Sequence, residues 1–344
     1  MPLFAKRMEN HIKFYMKPNL AIILLILLIC GCATTKSIPD LELIEDPKFV
    51  NWFNIRGLGG DADDGKNQGV FPSTENIGQP SWTIAQWGSR YNFSDPEITE
   101  KKQLSTHIFQ LQNKSKRFTV NSQTGELEMG LFASACYDAP RLKDGYWPHL
   151  LVSTLLTDVR VPSGFCKVEN IKKLNLGLNC KLLSFEDHHP SPDPELHAAQ
   201  FLLHIYVQNL TTDDDGFGDM LWFGIPIFDN RHEIVEERFS QDSGKPDASG
   251  KFIFGMAHQA VRSEKQTFFK NGRIEAGEDS KVVPTQADLI PWIHYAFQLA
   301  RKNGFMKTTS FRDLYISGMN LGWEMSGTYD GVMRVSDLSL IAEY

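Results

Sequence analysis

The chain is short of the features that would place it at a glance. Five cysteines in 344 residues are too few for a small disulfide scaffold, and no pair has zinc-ligand spacing. No block of basic residues occurs, and the formal net charge is −7, so nucleic acid is not an expected partner. Gly-x-Ser-x-Gly, phosphate-loop and His-Glu-x-x-His patterns are missing, which leaves esterase, nucleotide and zinc-peptidase chemistry without support. No cofactor and no metal are expected. Asp61-Ala-Asp63-Asp64-Gly65 has oxygen ligands on alternate residues, but its Gly comes one position early and no bidentate Glu follows, so it reads as a solvated turn. Asp213–Gly216 reads the same way. There is no repeat of solenoid or propeller period, and no composition shift marks a second domain.

What the chain has is aromatic residues and alternation. Seven Trp and 23 Phe suit a large β core or a platform for stacking sugars. Strand patterns recur at Trp82–Gly88, Phe118–Gly125, Leu127–Tyr137, Tyr146–Leu156, Leu174–Phe185, Ala199–Leu210, Met220–Phe228 and Lys251–Val261. Near the C-terminus Leu314–Gly327 and Val332–Ile341 read as two more strands joined by a short Gly-bearing connection, with Glu324 at the end of the first. In the last, strict alternation puts Val332, Arg334, Ser336, Leu338 and Leu340 on one face. Three prolines between Pro190 and Pro194 make a loop there. One helix is expected, opening near Asp288 with Pro291 in its first turn. Leu289, Trp292, Ile293, Ala296, Leu299 and Ala300 form its apolar stripe, and Gly304 stops it. Many strands and so little helix predict an all-β fold, an antiparallel β-sandwich or jelly roll with one amphipathic helix packed on the outside.

The first residues read as an address. Lys6, Arg7, Lys13 and Lys17 precede an apolar run from Leu20 to Ile29, too short for a comfortable membrane span and suited to a signal peptide. The run ends in Leu28-Ile29-Cys30-Gly31-Cys32, which resembles the bacterial lipobox. That resemblance implies lipidation of Cys32 and a membrane-anchored body in the cell envelope, on the periplasmic or outer-membrane face. An uncleaved anchor helix is the other reading. The expected organisation is a lipoprotein signal over 1–31, a tether over 32–48 and a single β-sandwich over 49–344. In that oxidising setting Cys166 and Cys180, which flank a possible hairpin, are the favoured disulfide pair, with Cys136 left over.

The order of the C-terminal part is an amphipathic helix from Asp288-Leu289, Gly304, a strand ending Gly322-Trp-Glu324-Met-Ser-Gly327, and a final alternating strand. It resembles family 12 glycoside hydrolases, which are concanavalin-like jelly rolls. The resemblance implies that Glu324 is a general acid/base. It also implies a nucleophilic Glu four residues before the Trp of the strand around Gly216-Phe-Gly-Asp219-Met-Leu-Trp222. That position is Gly218 here, and Asp219 lies three before. Asp219 reaches the same face only if a bulge intervenes.

Glycoside hydrolysis needs two carboxyl groups flanking the scissile bond, about 5 Å apart for retention and wider for inversion. Glu324, set among large side chains, is the candidate acid. Asp219 is the first candidate partner and Glu128, mid-strand, the second. Trp147, Trp222 and Trp323 are candidate sugar platforms, and His149, alternating with Trp147 and Leu151, a candidate substrate contact. His149 and His204 are the two strand histidines, His204 alternating with Leu202 and Tyr206. A lyase acting beside a uronate carboxylate would use such a neutral base with a Tyr as acid, but no Arg cluster lies on these strands, and a lone strand His is most often structural. Two functions follow: a hydrolase acting on a β-linked polysaccharide or oligosaccharide, or a non-catalytic glycan-binding surface on the same scaffold. A purely structural envelope lipoprotein is the plain alternative, with each Trp a core residue, Asp219 a turn residue and Glu128 a solvent-facing one.

Overall fold

The computed structural model describes residues 39–59, 66–72, 79–143, 145–242, 251–257, 276–277, 279–282 and 288–344. The expected leader with Cys32 and the expected turn at Asp61–Asp64 fall outside the described residues.

Alternation of apolar and polar side chains sets the strands. In chain order these begin with β1 (Leu41–Glu42), β2 (Phe53–Arg56), β3 (Asn67–Phe71), β4 (Trp82–Ala85), β5 (Glu100–Gln103) and β6 (Ile108–Gln112). Then come β7 (Lys116–Asn121), β8 (Glu126–Phe132), β9 (His149–Leu155), β10 (Cys166–Lys167), β11 (Lys173–Asp187) and β12 (Ala199–Asn209). The last third holds β13 (Met220–Asp229), β14 (Arg238–Asp242), β15 (Lys251–Gly255), β16 (Asp279–Val282), helix α1 (Ile290–Lys302), β17 (Leu314–Met325) and β18 (Tyr329–Glu343).

The strands form two sheets. An eight-stranded sheet runs β16-β11-β18-β8-β7-β6-β5, with β1 also on β18. A ten-stranded sheet runs β14-β15-β13-β12-β17-β9-β4-β2-β3, with β10 also on β17. All pairings are antiparallel except β2 with β4 and β13 with β15. The sheets face each other as a jelly-roll sandwich. Leu127, Met129, Met333 and Val335 from one sheet meet Leu150, Val152, Phe201, Leu203, Leu321 and Trp323 from the other, all buried. Full burial of each such side chain contributes about 1.5–3 kcal/mol. Trp323 ties the layers together, its indole N–H donating to the Met129 carbonyl at 2.8 Å.

Helix α1 packs its buried stripe, Ile293, Ala296, Phe297 and Ala300, against the β13–β15 edge of the core. Trp292 packs at the border of that core. Its C-terminus is closed by Gly304 at φ +88°. Phe305 N–H donates to the Ala300 carbonyl and Gly304 N–H to that of Arg301, a pairing that satisfies the last carbonyls of a helix. Asp288 does not cap the helix itself. Its Oδ1 accepts from the backbone N–H of both Ile290 and Leu174, fastening the helix start to β11.

Three expectations are corrected. The alternation in β18 does not run through: Met333 and Val335 are buried, and so are Leu338, Leu340 and Ala342. Asp337 at φ +52° sits at a register shift against β11, and one extra residue in a strand exchanges its two faces. The stretch before residue 49 is not all tether, because β1 pairs with β18 and Leu43 and Ile44 are buried. Cys166 and Cys180 are free thiols, as is Cys136. Cys180 is buried within β11, and the Cys166 thiol meets the Tyr344 hydroxyl at 2.7 Å.

Candidate functional site

Side chains directly opposite in a sheet share a face, so register defines what the outer face of the ten-stranded sheet carries. On β17, Leu321 and Trp323 point into the core, which turns Asn320, Gly322 and Glu324 outward. Glu324 is opposite Gln200 on β12 and His149 on β9, and Asn320 is opposite His204 and Ser153. From β12 the outward residues are Gln200, Leu202, His204, Tyr206 and Gln208. From β13, Trp222 lies opposite Tyr206 and Gly224 opposite His204. Gly322 adopts φ +152°, and a Cβ there would stand 2.1 Å from the Leu150 carbonyl oxygen. Only glycine permits that approach of β9, and it leaves a gap in the face between Glu324 and Asn320.

At one end of this gap Glu324 is 23% exposed and stands 3.7 Å from His149 Nε2. Trp147, 41% exposed, donates its indole N–H to the same nitrogen at 2.8 Å. The guanidinium of Arg141 lies 4.8 Å from the Trp147 ring centre. At the other end His204 Nδ1 is 3.3 Å from Asn320 Oδ1, and Tyr206 lies two residues beyond His204 on the same face. Trp222 flanks both rings, its centroid 5.7 Å from that of His204 and 5.8 Å from that of Tyr206. Burial lowers the pKa of His204, against an opposing effect of the Glu324 charge. Burial pushes the Tyr206 hydroxyl up to about 12, with Glu324 acting in the same direction and Arg56 against it.

Asp229 shares the face, opposite Gln200 and two strands from Glu324. It is fully buried, and its oxygens accept from Gln200 at 2.7 Å, Arg231 at 2.8 Å and Arg238 at 2.6 Å. Burial works to raise its pKa, but the two guanidinium groups prevail and hold it below the usual carboxylate range.

The structure therefore brings Glu324, His149, Trp147 and Trp222 to one face and leaves the other candidates elsewhere. Asp219 closes a turn before β13, where its backbone carbonyl accepts from Asn209 N–H and its carboxylate from the Thr309 hydroxyl at 2.7 Å. Nine steps of β12 separate Asn209 from Gln200, which is opposite Glu324, a distance of about 30 Å along a strand. No bulge closes that gap. Glu128 lies on the outer face of the eight-stranded sheet, paired with Arg334 Nε at 3.0 Å. Trp323 faces the core, edge-on to Phe201 and Phe228. Sequence reading missed Gln200, Asn320 and Arg56. Asn320 was legible in principle, since it alternates with Gly322 and Glu324, whereas Arg56 arrives from a strand remote in sequence.

No protein-family model matches the chain, and no curated protein sequence matches it. Among solved structures it is similar to the endoglucanase cel12A from Rhodothermus marinus, at 12% identity over 72% of this chain and 97% of that one, TM-score 0.33. It is also similar to a family 12 xyloglucanase from Bacillus licheniformis, at 12% identity over 72% and 98%, TM-score 0.37. A family 11 xylanase from Neocallimastix patriciarum matches at 10% identity over 72% and 97%, TM-score 0.36. At these values the likeness is a distant one of jelly-roll shape, and no residue role is transferred from it.

Proposed function

We propose that the protein binds a polysaccharide along the outer face of the ten-stranded sheet. One observation carries this reading: Trp147, His149, Gln200, Tyr206, Trp222 and Glu324 share a half-buried face that is not used to pack the core. Aromatic rings cover the C–H faces of sugars, and imidazole, amide and carboxylate groups satisfy their hydroxyls. Trp147 is held in place by its bond to His149 rather than left to rotate, so less entropy is lost when a sugar settles on it. The body is carried outside the cytoplasm on a lipid attached to Cys32. The basic residues, the short apolar run and the Gly31-Cys32 junction support that placement. Calorimetric titration with soluble β-linked glucans tests the binding, and loss of heat with Trp147→Ala and Trp222→Ala is the expected result. Mass spectrometry of the mature N-terminus tests the lipid.

A second reading, hydrolysis of a β-linked glycan with Glu324 as general acid, is favoured by the place of Glu324 beside His149 at the edge of the Gly322 gap. It needs a second carboxyl group. Asp229 lies two strands away, about 10 Å, but its oxygens are committed to Arg231, Arg238 and Gln200. Binding is the reading that the geometry supports best. New reducing ends released from a β-glucan by the wild-type chain, and lost with Glu324→Gln, would restore hydrolysis.

A further inference from the structure

The pair at the far end of the gap is built with more care than a sugar platform requires. His204 and Tyr206 are two residues apart on β12 and face the same way, about 7 Å from each other at their backbones. Asn320 fixes the first of them. Its amide oxygen can only accept, so the proton shared with His204 resides on Nδ1, and neutral His204 keeps a bare lone pair on Nε2. Tyr206 stacks beside Trp222, ring centres 5.8 Å apart, and burial holds the proton on its hydroxyl. A base and an acid thus stand side by side. On β13, a Cβ at residue 224 would lie 3.0 Å from both Nε2 and Cδ2 of His204. Gly224 therefore leaves room beside the edge of the ring that carries the lone pair.

We propose that this face carries a β-elimination centre for a uronate-containing polysaccharide, with His204 as base and Tyr206 as acid. The inference rests on the binding reading above. A uronate carboxyl acidifies the hydrogen on C5. His204 Nε2 takes that proton, and the electron pair forms the C4–C5 double bond. The bond from C4 to the glycosidic oxygen breaks, and that oxygen takes the Tyr206 proton and leaves with the neighbouring sugar as a new reducing end. His204 then returns its proton through solvent to Tyr206, so no water is consumed and no oxidant is needed. The environment suits each role. Burial keeps His204 neutral and Tyr206 protonated at neutral pH, the Glu324 charge favours the imidazolium as it forms, and the positive charge of Arg56 acts at Tyr206. Both groups approach from the sheet beneath the sugar. The C5 hydrogen and the C4 oxygen must then lie on the same side of the ring, which selects gluco- or manno-configured uronates over their C5 epimers.

The test uses the full chain with a soluble 4-linked β-polyglucuronate and with the same polymer after its carboxyl groups have been reduced. The expected result is ultraviolet absorbance from the conjugated double bond, growing in equal molar amount with new reducing ends, on polyglucuronate alone. Tyr206→Phe, which keeps the ring, and His204→Ala should each lower that rate about 10²- to 10⁴-fold. Thermal melting of Tyr206→Phe should match that of the parent, so that its lost rate reports the missing hydroxyl and not unfolding. Reducing ends without absorbance overturn elimination in favour of hydrolysis. Binding of either polymer with neither product overturns elimination and leaves the binding reading standing. No binding of either polymer overturns both.

Discussion

His149 Nε2 stands 3.7 Å from a carboxyl oxygen of Glu324, and its protonation is set from the other side of the ring. His149 Nδ1 is 3.1 Å from the Trp87 carbonyl, which can only accept, so the ring proton resides there. Nε2 accepts the Trp147 indole N–H. The one lone pair of Nε2 is therefore spent on the Trp147 indole, and Glu324 stands beside the ring. His149 is at once the orienter of Trp147 and a neighbour of Glu324.

If His149 orients Trp147, the two act as one unit in binding. His149→Phe and Trp147→Ala should each weaken glycan affinity about tenfold, or about 1.4 kcal/mol. The double variant should be no weaker than Trp147→Ala. Additive losses in a double-mutant cycle measured by calorimetry would show that the two act separately.

Trp323 is predicted to matter for stability and not for binding, the reverse of Trp222. Trp323→Phe leaves the Met129 carbonyl without its donor and opens space between the sheets. It should cost about 2–4 kcal/mol in chemical denaturation, with glycan affinity within about twofold of the parent. Trp222→Ala should lower affinity with little loss of stability.

Asp229 balances two guanidinium groups from a fully buried position. Asp229→Asn should destabilise by about 2–3 kcal/mol, at the low end for a buried pair because Arg231 and Arg238 retain some solvent. The folded pKa of Asp229 lies below its unfolded value, so the stabilisation is present above the ordinary aspartate pKa and is lost as pH falls through the folded value. Thermal melts should show the gap between parent and variant closing in acid. A gap that stayed constant down to the acid limit would count against the ion pairs as its origin.

Lys116 is buried with no carboxylate bonded to it. Its Nζ donates to Ser89 Oγ at 2.6 Å and to the Tyr91 carbonyl, and it lies 5.1 Å from the centre of the Phe93 ring. Burial lowers its pKa to about 7, whereas the unfolded chain has an ordinary lysine near about 10.4. Between those values the unfolded state holds more protons, so stability rises with pH across that window. Lys116→Met should remove this slope. Melting temperatures of parent and variant that run parallel from neutral to mildly alkaline pH would sink the assignment.

Much of the sandwich was legible because alternation is a local property. The strands β9, β11, β12, β13 and β17 fall where their apolar residues recur every second position, and α1 where they recur at helical spacing between Pro291 and Gly304. The face assignment in β18 failed at Asp337 because a bulge leaves the composition of a strand unchanged while reversing its sides. The catalytic pairing of Asp219 with Glu324 failed for a different reason. Residue order on neighbouring strands does not give register, and here the register places the two at opposite ends of β12.

By itself the sequence determined that this is a β protein with an amphipathic helix near its C-terminus, and that Glu324 ends a strand among large side chains. These follow from side-chain period, glycine and proline positions and short motifs, all of which act over a few residues. Only the tertiary structure decided which groups meet. It set Trp323 inward and Trp222 outward, moved Asp219 about 30 Å from Glu324 and enclosed Asp229 between two arginines. It also set Asn320 against His204, more than a hundred residues earlier in the chain. Strand pairing brings such distant segments into register, and register depends on the whole sheet rather than on any stretch of it.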